Sequence, residues 1–317
     1  MTVTQPKRST RYTVTPNAVT EESFELSPLA AEHVTVELSA WSLAHGRGVS
    51  AFGTIVAEGE GVADRGELLG CQALLPALLA CGACLPCRRA HPFACESRIP
   101  DLGLVDHAQV PARLVVRLRP HGAAPLLGTL TAPEHAHRLA ALSDVGLFAY
   151  AAVIRASVEP NRAAIIIGEG PLARFIAALV QHRGAHPIRV TELATGEAIV
   201  RGALAARGLP YFGIPLIDAG GATDSGAALT LAVPGSTVVL CDVAGAAKID
   251  TRLMVERELS VHGLRGAHPD LLPELVAFVS KGNLALDALV HEAPDLLALS
   301  SSVADERVPL WVRPSAG

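Results

Sequence analysis

Four cysteines fall within fifteen positions, in the run Cys81-Gly82-Ala83-Cys84-Leu85-Pro86-Cys87 followed by Cys95. Their steps of three, three and eight residues let four thiolates converge on one tetrahedral ion, and four sulfur ligands close its coordination shell. The expected occupant is a single structural Zn2+, since such a shell leaves no position for water or substrate. A second group of residues carries a different chemistry. Ala163-Ala164-Ile165-Ile166-Ile167 is a continuous apolar run suited to a strand covered on both faces, and Gly168-Glu169-Gly170-Pro171-Leu172-Ala173 follows it directly. Gly168 permits a tight turn, and Gly170 lets a pyrophosphate reach the backbone at the positive end of a helix. Pro171 suits the first helical turn, Leu172 opens an apolar face, and Ala173 is small enough for the helix to pack on the strand. Glu192, 24 residues beyond Gly168, ends the short β-like run Ile188-Arg189-Val190. That is near the ~20-residue spacing of a carboxylate that accepts from a ribose hydroxyl. No Arg follows it immediately, so the expected cofactor is NAD(H) rather than its 2′-phosphorylated form.

These residues need elements to hold them. Leu172, Phe175, Ile176, Leu179 and Val180 recur at helical spacing, so the turn opens an amphipathic helix. Upstream, Val34 to Leu38 alternates as a half-exposed strand, and Phe52 to Glu58 gives a second one, ended by Gly59-Glu60-Gly61. Before position 20 only a short strand around Tyr12 to Val14 is legible. Downstream of a helical stretch from Gly196 to Gly208, the chain offers only Leu209 to Asp218 before the next glycine turn. Successive parallel strands need a crossover of a dozen or more residues. That interval has room for one strand and no further helix.

The totals narrow the field. A chain of 317 residues that is 50% hydrophobic can build two cores. With a net charge of −5 and no run of Lys or Arg, nucleic-acid binding is not expected. Met1 to Arg11 has no apolar core of a signal peptide, and the apolar run Ala73 to Ala80 is short and broken by Pro76. Neither export nor a membrane span is expected. Clustered cysteines in such a chain favour a metal site in a reducing compartment, hence a cytoplasmic location, and Cys71 and Cys241 read as buried inert thiols.

A four-cysteine lobe followed by a dinucleotide turn resembles the medium-chain dehydrogenase/reductase family, the relatives of zinc alcohol dehydrogenase. The resemblance covers nearly the whole chain. Gly48 to Val62 is similar to the family's Gly-His-Glu-x-x-Gly-x-Val stretch, Val110-Pro111-Ala112 to its Val-Pro-Ala strand, and Pro160 to Ala173 to its strand and turn. Val233-Pro234-Gly235-Ser236 is similar to its Pro-Gly-Gly turn, and Arg257 to Gly263 to the edge strand near its dimer seam. The resemblance implies an α/β protein with a GroES-like β domain over residues 1–148, completed by 284–317. A Rossmann domain, a doubly wound parallel sheet shortened by one strand, would span 149–283. It also implies a homodimer through Leu259 to Gly263 and a small-molecule substrate bound in a cleft between the domains.

The departures are chemical. By register, the ligands of the family's catalytic zinc fall on Ala44, on Val49 with Ser50 in place of the adjacent Glu, and near Ser143 or Asp144. Alanine and valine cannot bind metal. Zinc-free members tend to have Asn at the position of Ala44, and Gly46 and Arg47 stand where the proton relay would be. Ser42 and His45 remain as candidate proton donors beside Trp41, and Asp242 stands where relatives have a glycine near the nicotinamide. His135 and His137 read as exposed residues of a polar turn. Two functional classes follow: a hydride-transferring oxidoreductase without catalytic zinc, or a member retooled for redox-neutral catalysis or binding on the same scaffold.

Overall fold

The computed structural model describes residues 6–15, 17–44, 48–63, 65–81, 83–89, 91–98, 102–118, 133–220, 225–241, 248–279, 284, 286–301 and 308–312. His45, Gly46, Arg47 and Asp242 lie outside them, as do the side chains of Ala44, His135 and His137. The chain divides into two compact units, residues 1–145 with 268–317, and residues 146–267. Among the described residues no helix is long and apolar enough to cross a membrane.

The first unit is built of sheets that are antiparallel except where Val290–Glu292 pairs in parallel with Val308–Val312. Near the N-terminus, where only one short strand was expected, Arg8–Thr15 and Ala18–Glu25 form a hairpin. Alternation there is masked because both faces are largely polar. The register sets Arg8 opposite Glu25 and Arg11 opposite Glu22, while Tyr12, Val14, Val19 and Phe24 pack against the core and Arg11 lies over the Phe24 ring. The larger sheet runs in the order Val290–Glu292, Val308–Val312, His33–Ala44, Gly48–Glu58, Gln72–Leu75 and Val116–Arg117. His107–Pro111 pairs with the first half of His33–Ala44. Its core gathers Val34, Val36, Leu38, Ile55 and Leu75. Trp41, opposite Trp311 across the ladder, packs ring on ring at 4.9 Å. Gly53 is required at this point: a Cβ there would stand 2.1 Å from the Glu37 carbonyl, where the ladder slips between Leu38 and Ala40.

The second unit is a five-stranded parallel sheet, ordered His186–Val190, Ala163–Ile167, Leu216–Asp218, Thr237–Leu240 and Ser260–Gly263. The chain leaves His186–Val190 through the helix Leu193–Ala205 and re-enters the sheet on the far side of Ala163–Ile167. As expected from the short interval after Gly208, no described strand lies outside His186–Val190. The sequence accommodates that bare edge. His186 donates to the Arg162 carbonyl and Val190 accepts from Gly168, so residues of that parity face inward and Pro187 and Arg189 face the open side. Proline removes a donor and arginine adds a charge, and both discourage pairing with another strand.

The return to the first unit comes at His268 rather than at 284. Helix Leu272–Phe278 buries Leu272, Leu275 and Val276 and packs against residues 133–143 of the first unit. The boundary at 284 comes from the resemblance, and no pattern read in this segment moves it; even a helical period reports a buried face without saying in which core.

Candidate functional site

The four cysteines come together as their spacing requires. Cys84 caps the short helix Leu85–Arg88 and Cys87 stands on it, so one turn carries both thiols to the same side, and Cys81 and Cys95 close from flanking loops. The four Sγ atoms lie within 4.8 Å of one another, with Cys84 to Cys87 at 3.4 Å and Cys81 to Cys87 at 3.9 Å. A tetrahedral ion with Zn–S near 2.3 Å spaces its ligands about 3.8 Å apart, and all four thiols are free of disulfides. The donor set fits zinc. The Cys84 N–H donates to the Cys81 sulfur at 3.4 Å, and the Cys81 N–H donates to the Cys95 sulfur at 3.3 Å. Backbone hydrogen bonding from Cys84 and then Ala83 holds the Cys81 thiol down at about 6, favouring the thiolate that a metal needs. Arg113, which sequence reading missed, donates to the Cys81 carbonyl at 2.7 Å and ties the lobe to the turn Ala112–Leu114.

In the second unit Ala163–Ile167 is wholly buried and ends at Gly168, whose φ is +115°. A Cβ there would stand 2.2 Å from the Gly220 carbonyl, so only glycine fits. Gly170, with φ +88° and ψ −174°, precedes helix Pro171–His182 and caps it without any side chain. A Cβ on Gly170 would meet nothing within 4 Å among the described residues. The helix therefore begins in open space, with first-turn N–H groups suited to an anion. Ala173, Phe175, Ile176, Leu179 and Val180 are buried beneath it, and Leu172 is half-buried. Glu192 stands exposed just beyond His186–Val190, as the residue preceding helix Leu193–Ala205, and its carboxylate does not cap that helix.

The structure adds Asp218, which sequence reading passed over as the end of a short apolar run. It is fully buried at the carboxyl end of the strand next to Ala163–Ile167. An acid terminating a buried run just before Ala219-Gly220 was the available signal.

Of the positions that resemble a catalytic zinc site, the structure brings the first two into a closed hairpin, with Ala44 opposite Gly48 and Leu43 opposite Val49. Val49 belongs to the apolar core. Ser50 donates to the Ala140 carbonyl at 2.9 Å, while Ser143 and Asp144 are buried. Ser42 is also buried in this sheet, at 1% exposure, and Trp41 is core.

Solved structures of this architecture are numerous. An alcohol dehydrogenase from Escherichia coli CFT073, complexed with NADH, matches 97% of this chain over 100% of its own, at a TM-score of 0.74 and 18% identity. The chain has the alcohol dehydrogenase fold. An alcohol dehydrogenase from Thermus sp. ATN1 matches over the same shares at a TM-score of 0.74 and 19% identity. Acetophenone reductase from Geotrichum candidum, in complex with NAD, matches 98% of each chain at a TM-score of 0.71 and 17% identity. No protein-family model matches the chain, and no curated protein matches it by sequence. At these identities the likeness is one of fold, in which the first unit takes the GroES-like part and the second the Rossmann part.

Proposed function

We propose that this chain is an NAD(H)-dependent oxidoreductase that moves hydride between the nicotinamide and a small carbonyl, imine or activated alkene. One structural zinc would sit on Cys81, Cys84, Cys87 and Cys95, and no zinc would act in catalysis. The observation that carries the reading is the glycine turn. Gly168 and Gly170 adopt the left-handed backbone such a turn needs, the helix behind them opens in free space, and Glu192 stands at the end of the neighbouring strand. Similar folds hold NADH in the Escherichia coli enzyme, NAD in the Geotrichum candidum one and NADP in a Sinorhizobium meliloti dehydrogenase, which supports a nicotinamide dinucleotide here, and the choice of NAD(H) rests on Glu192. The dinucleotide supplies the hydride. The chain supplies orientation, with Gly168, Gly170, Pro171, Leu172 and Ala173 at the pyrophosphate and Glu192 at the ribose. Asp242 is assigned to the nicotinamide end, and Ser42 or His45 to proton donation.

The decisive measurement is NADH binding by fluorescence. NADH should bind more tightly than NADPH, because Glu192 repels a 2′-phosphate, and Glu192→Ala should weaken NADH about tenfold, the order of one charge-assisted hydrogen bond. Tighter binding of NADPH by the parent protein, or no change in the variant, removes Glu192 from the site. One observation favours the second reading, a redox-neutral or purely binding role: the bare edge at His186–Val190 leaves the adenine side shallow. Absence of binding to either dinucleotide would select it.

The same reading includes a homodimer. Ser260–Gly263 is the last strand of its sheet, with Val261 and His262 only half-buried and Val255 on the preceding helix 77% exposed. Pairing with a second copy would cap this edge and cover the apolar side chain. Light scattering should give twice the 32.9 kDa chain mass, and a strictly monomeric mass contradicts the assignment.

A further inference from the structure

We infer that Asp218 is a positioning residue for the dinucleotide, holding the glycine turn in shape from the neighbouring strand. This rests on the cofactor reading above. Leu216–Asp218 lies between Ala163–Ile167 and Thr237–Leu240, with Asp218 opposite Ile167 and Leu240, at the carboxyl end of the sheet. The helices after Ala163–Ile167 and Leu216–Asp218 lead to opposite sides of the sheet order, so the gap between these two strands is the topological switch point, where ligands of open α/β sheets bind.

One hydrogen bond joins the strand ends, a second shapes the turn after Asp218, and that turn closes on Gly168. The Ala219 N–H donates to the Ile167 carbonyl at 2.9 Å, one residue before the glycine turn. Asp218 Oδ1 accepts from the Gly220 N–H at 3.1 Å, fixing Gly220 at a φ of +84°. The Gly220 carbonyl then occupies the space a side chain on Gly168 would need. On its other side Gly168 donates to the Val190 carbonyl at 3.1 Å. Gly168 is thus wedged between two backbones, and one of them is placed by a carboxylate with no exposure to solvent. Burying a carboxylate is costly unless its hydrogen bonds repay it. An apolar residue would fill a strand end as well, so the acid here is explained by what it holds.

The test uses the full chain and NADH. Asp218→Val fills the buried volume, suits a strand and removes the acceptor; Asp218→Asn keeps an Oδ1 that can accept from Gly220. Below the unfolding midpoint of each protein, the valine variant should bind NADH at least tenfold more weakly than the parent, and the asparagine variant within about threefold of it. Asp218→Ala makes the same comparison if the valine variant does not fold. A role in stability alone would lower the midpoint and leave NADH affinity in the folded protein unchanged, and that result overturns the inference. Equal losses in the asparagine and valine variants overturn it too, since the charge and not the held N–H would then matter. If the parent binds neither NADH nor NADPH, the cofactor reading fails and takes this inference with it. Unchanged binding in the variants of a parent that does bind sinks the inference alone.

Discussion

Gly168→Ala should abolish NADH binding and cost the fold several kcal/mol, whereas Gly170→Ala, two residues away, should cost the fold only the backbone strain of about 1–3 kcal/mol and still weaken binding at least tenfold. The two glycines share a left-handed backbone, at φ +115° and +88°, and an alanine forced into that region costs about 1–3 kcal/mol at either. They differ in what a Cβ would meet. At Gly168 it would stand 2.2 Å from the backbone carbonyl of Gly220, which cannot swing away as a side chain would because Ala219 and Asp218 hold that turn. Either the strand end or the adjoining turn must shift, and in a close-packed interior such a shift is felt widely. At Gly170 the same atom meets nothing within 4 Å among the described residues. That space is where a pyrophosphate would rest against the helix N-terminus, so the methyl group competes with the ligand and leaves the core alone. Thermal midpoints and NADH titrations on both variants separate the effects. A Gly170→Ala protein that binds NADH like its parent would show that the pyrophosphate does not lie on this turn.

How much of this was legible in the chain depends on whether a signal is local. The glycine turn and the cysteine lobe are each written in a dozen residues, and their geometry follows from the spacing. The missing strand was also legible, by counting: the residues between Gly208 and Asp218 cannot hold a helix and two strands. Asp218 was not, because its meaning lies in its hold on Gly220, whose carbonyl stands against Gly168 at the end of a strand far earlier in the chain and brought there only by parallel pairing. Arg113 was hidden for the same reason, reaching the Cys81 carbonyl from a turn 32 residues later. The N-terminal hairpin escaped because its few apolar residues, Tyr12, Val14, Val19 and Phe24, are only partly buried against the core and are scattered among polar ones, which leaves periodicity little to detect. Helix Leu272–Phe278 went unread, and the boundary at 284, drawn from the resemblance, left its segment in the other domain.

Stripping zinc from the cysteine lobe should lower stability sharply and leave initial turnover unchanged. The parent should carry one zinc per chain by elemental analysis and Cys84→Ser none, because three thiolates and a hydroxyl hold the ion far more weakly than four thiolates. A structural zinc contributes its binding energy to folding, so its loss costs several kcal/mol. At about 2–4 °C per kcal/mol for a chain of this size class, the unfolding midpoint should fall by about 10 °C or more. Catalysis is a separate matter. Metal in a catalytic role polarises a carbonyl and stabilises an alkoxide, a contribution of several kcal/mol. Here the two positions that would hold such an ion are Ala44 and Val49, drawn into one hairpin, with Val49 4% exposed in the apolar core. Without that stabilisation ethanol and other unactivated alcohols should not be oxidised at useful rates, and substrates whose charge is already delocalised, such as an enone, quinone or imine, should be favoured. A mild chelator should therefore act only as fast as the lobe unfolds, with activity and far-ultraviolet circular dichroism lost together. Rapid inactivation of a folded protein, reversed by added zinc, would reveal a second metal in the site and a ligand set other than the one read at Ala44 and Val49.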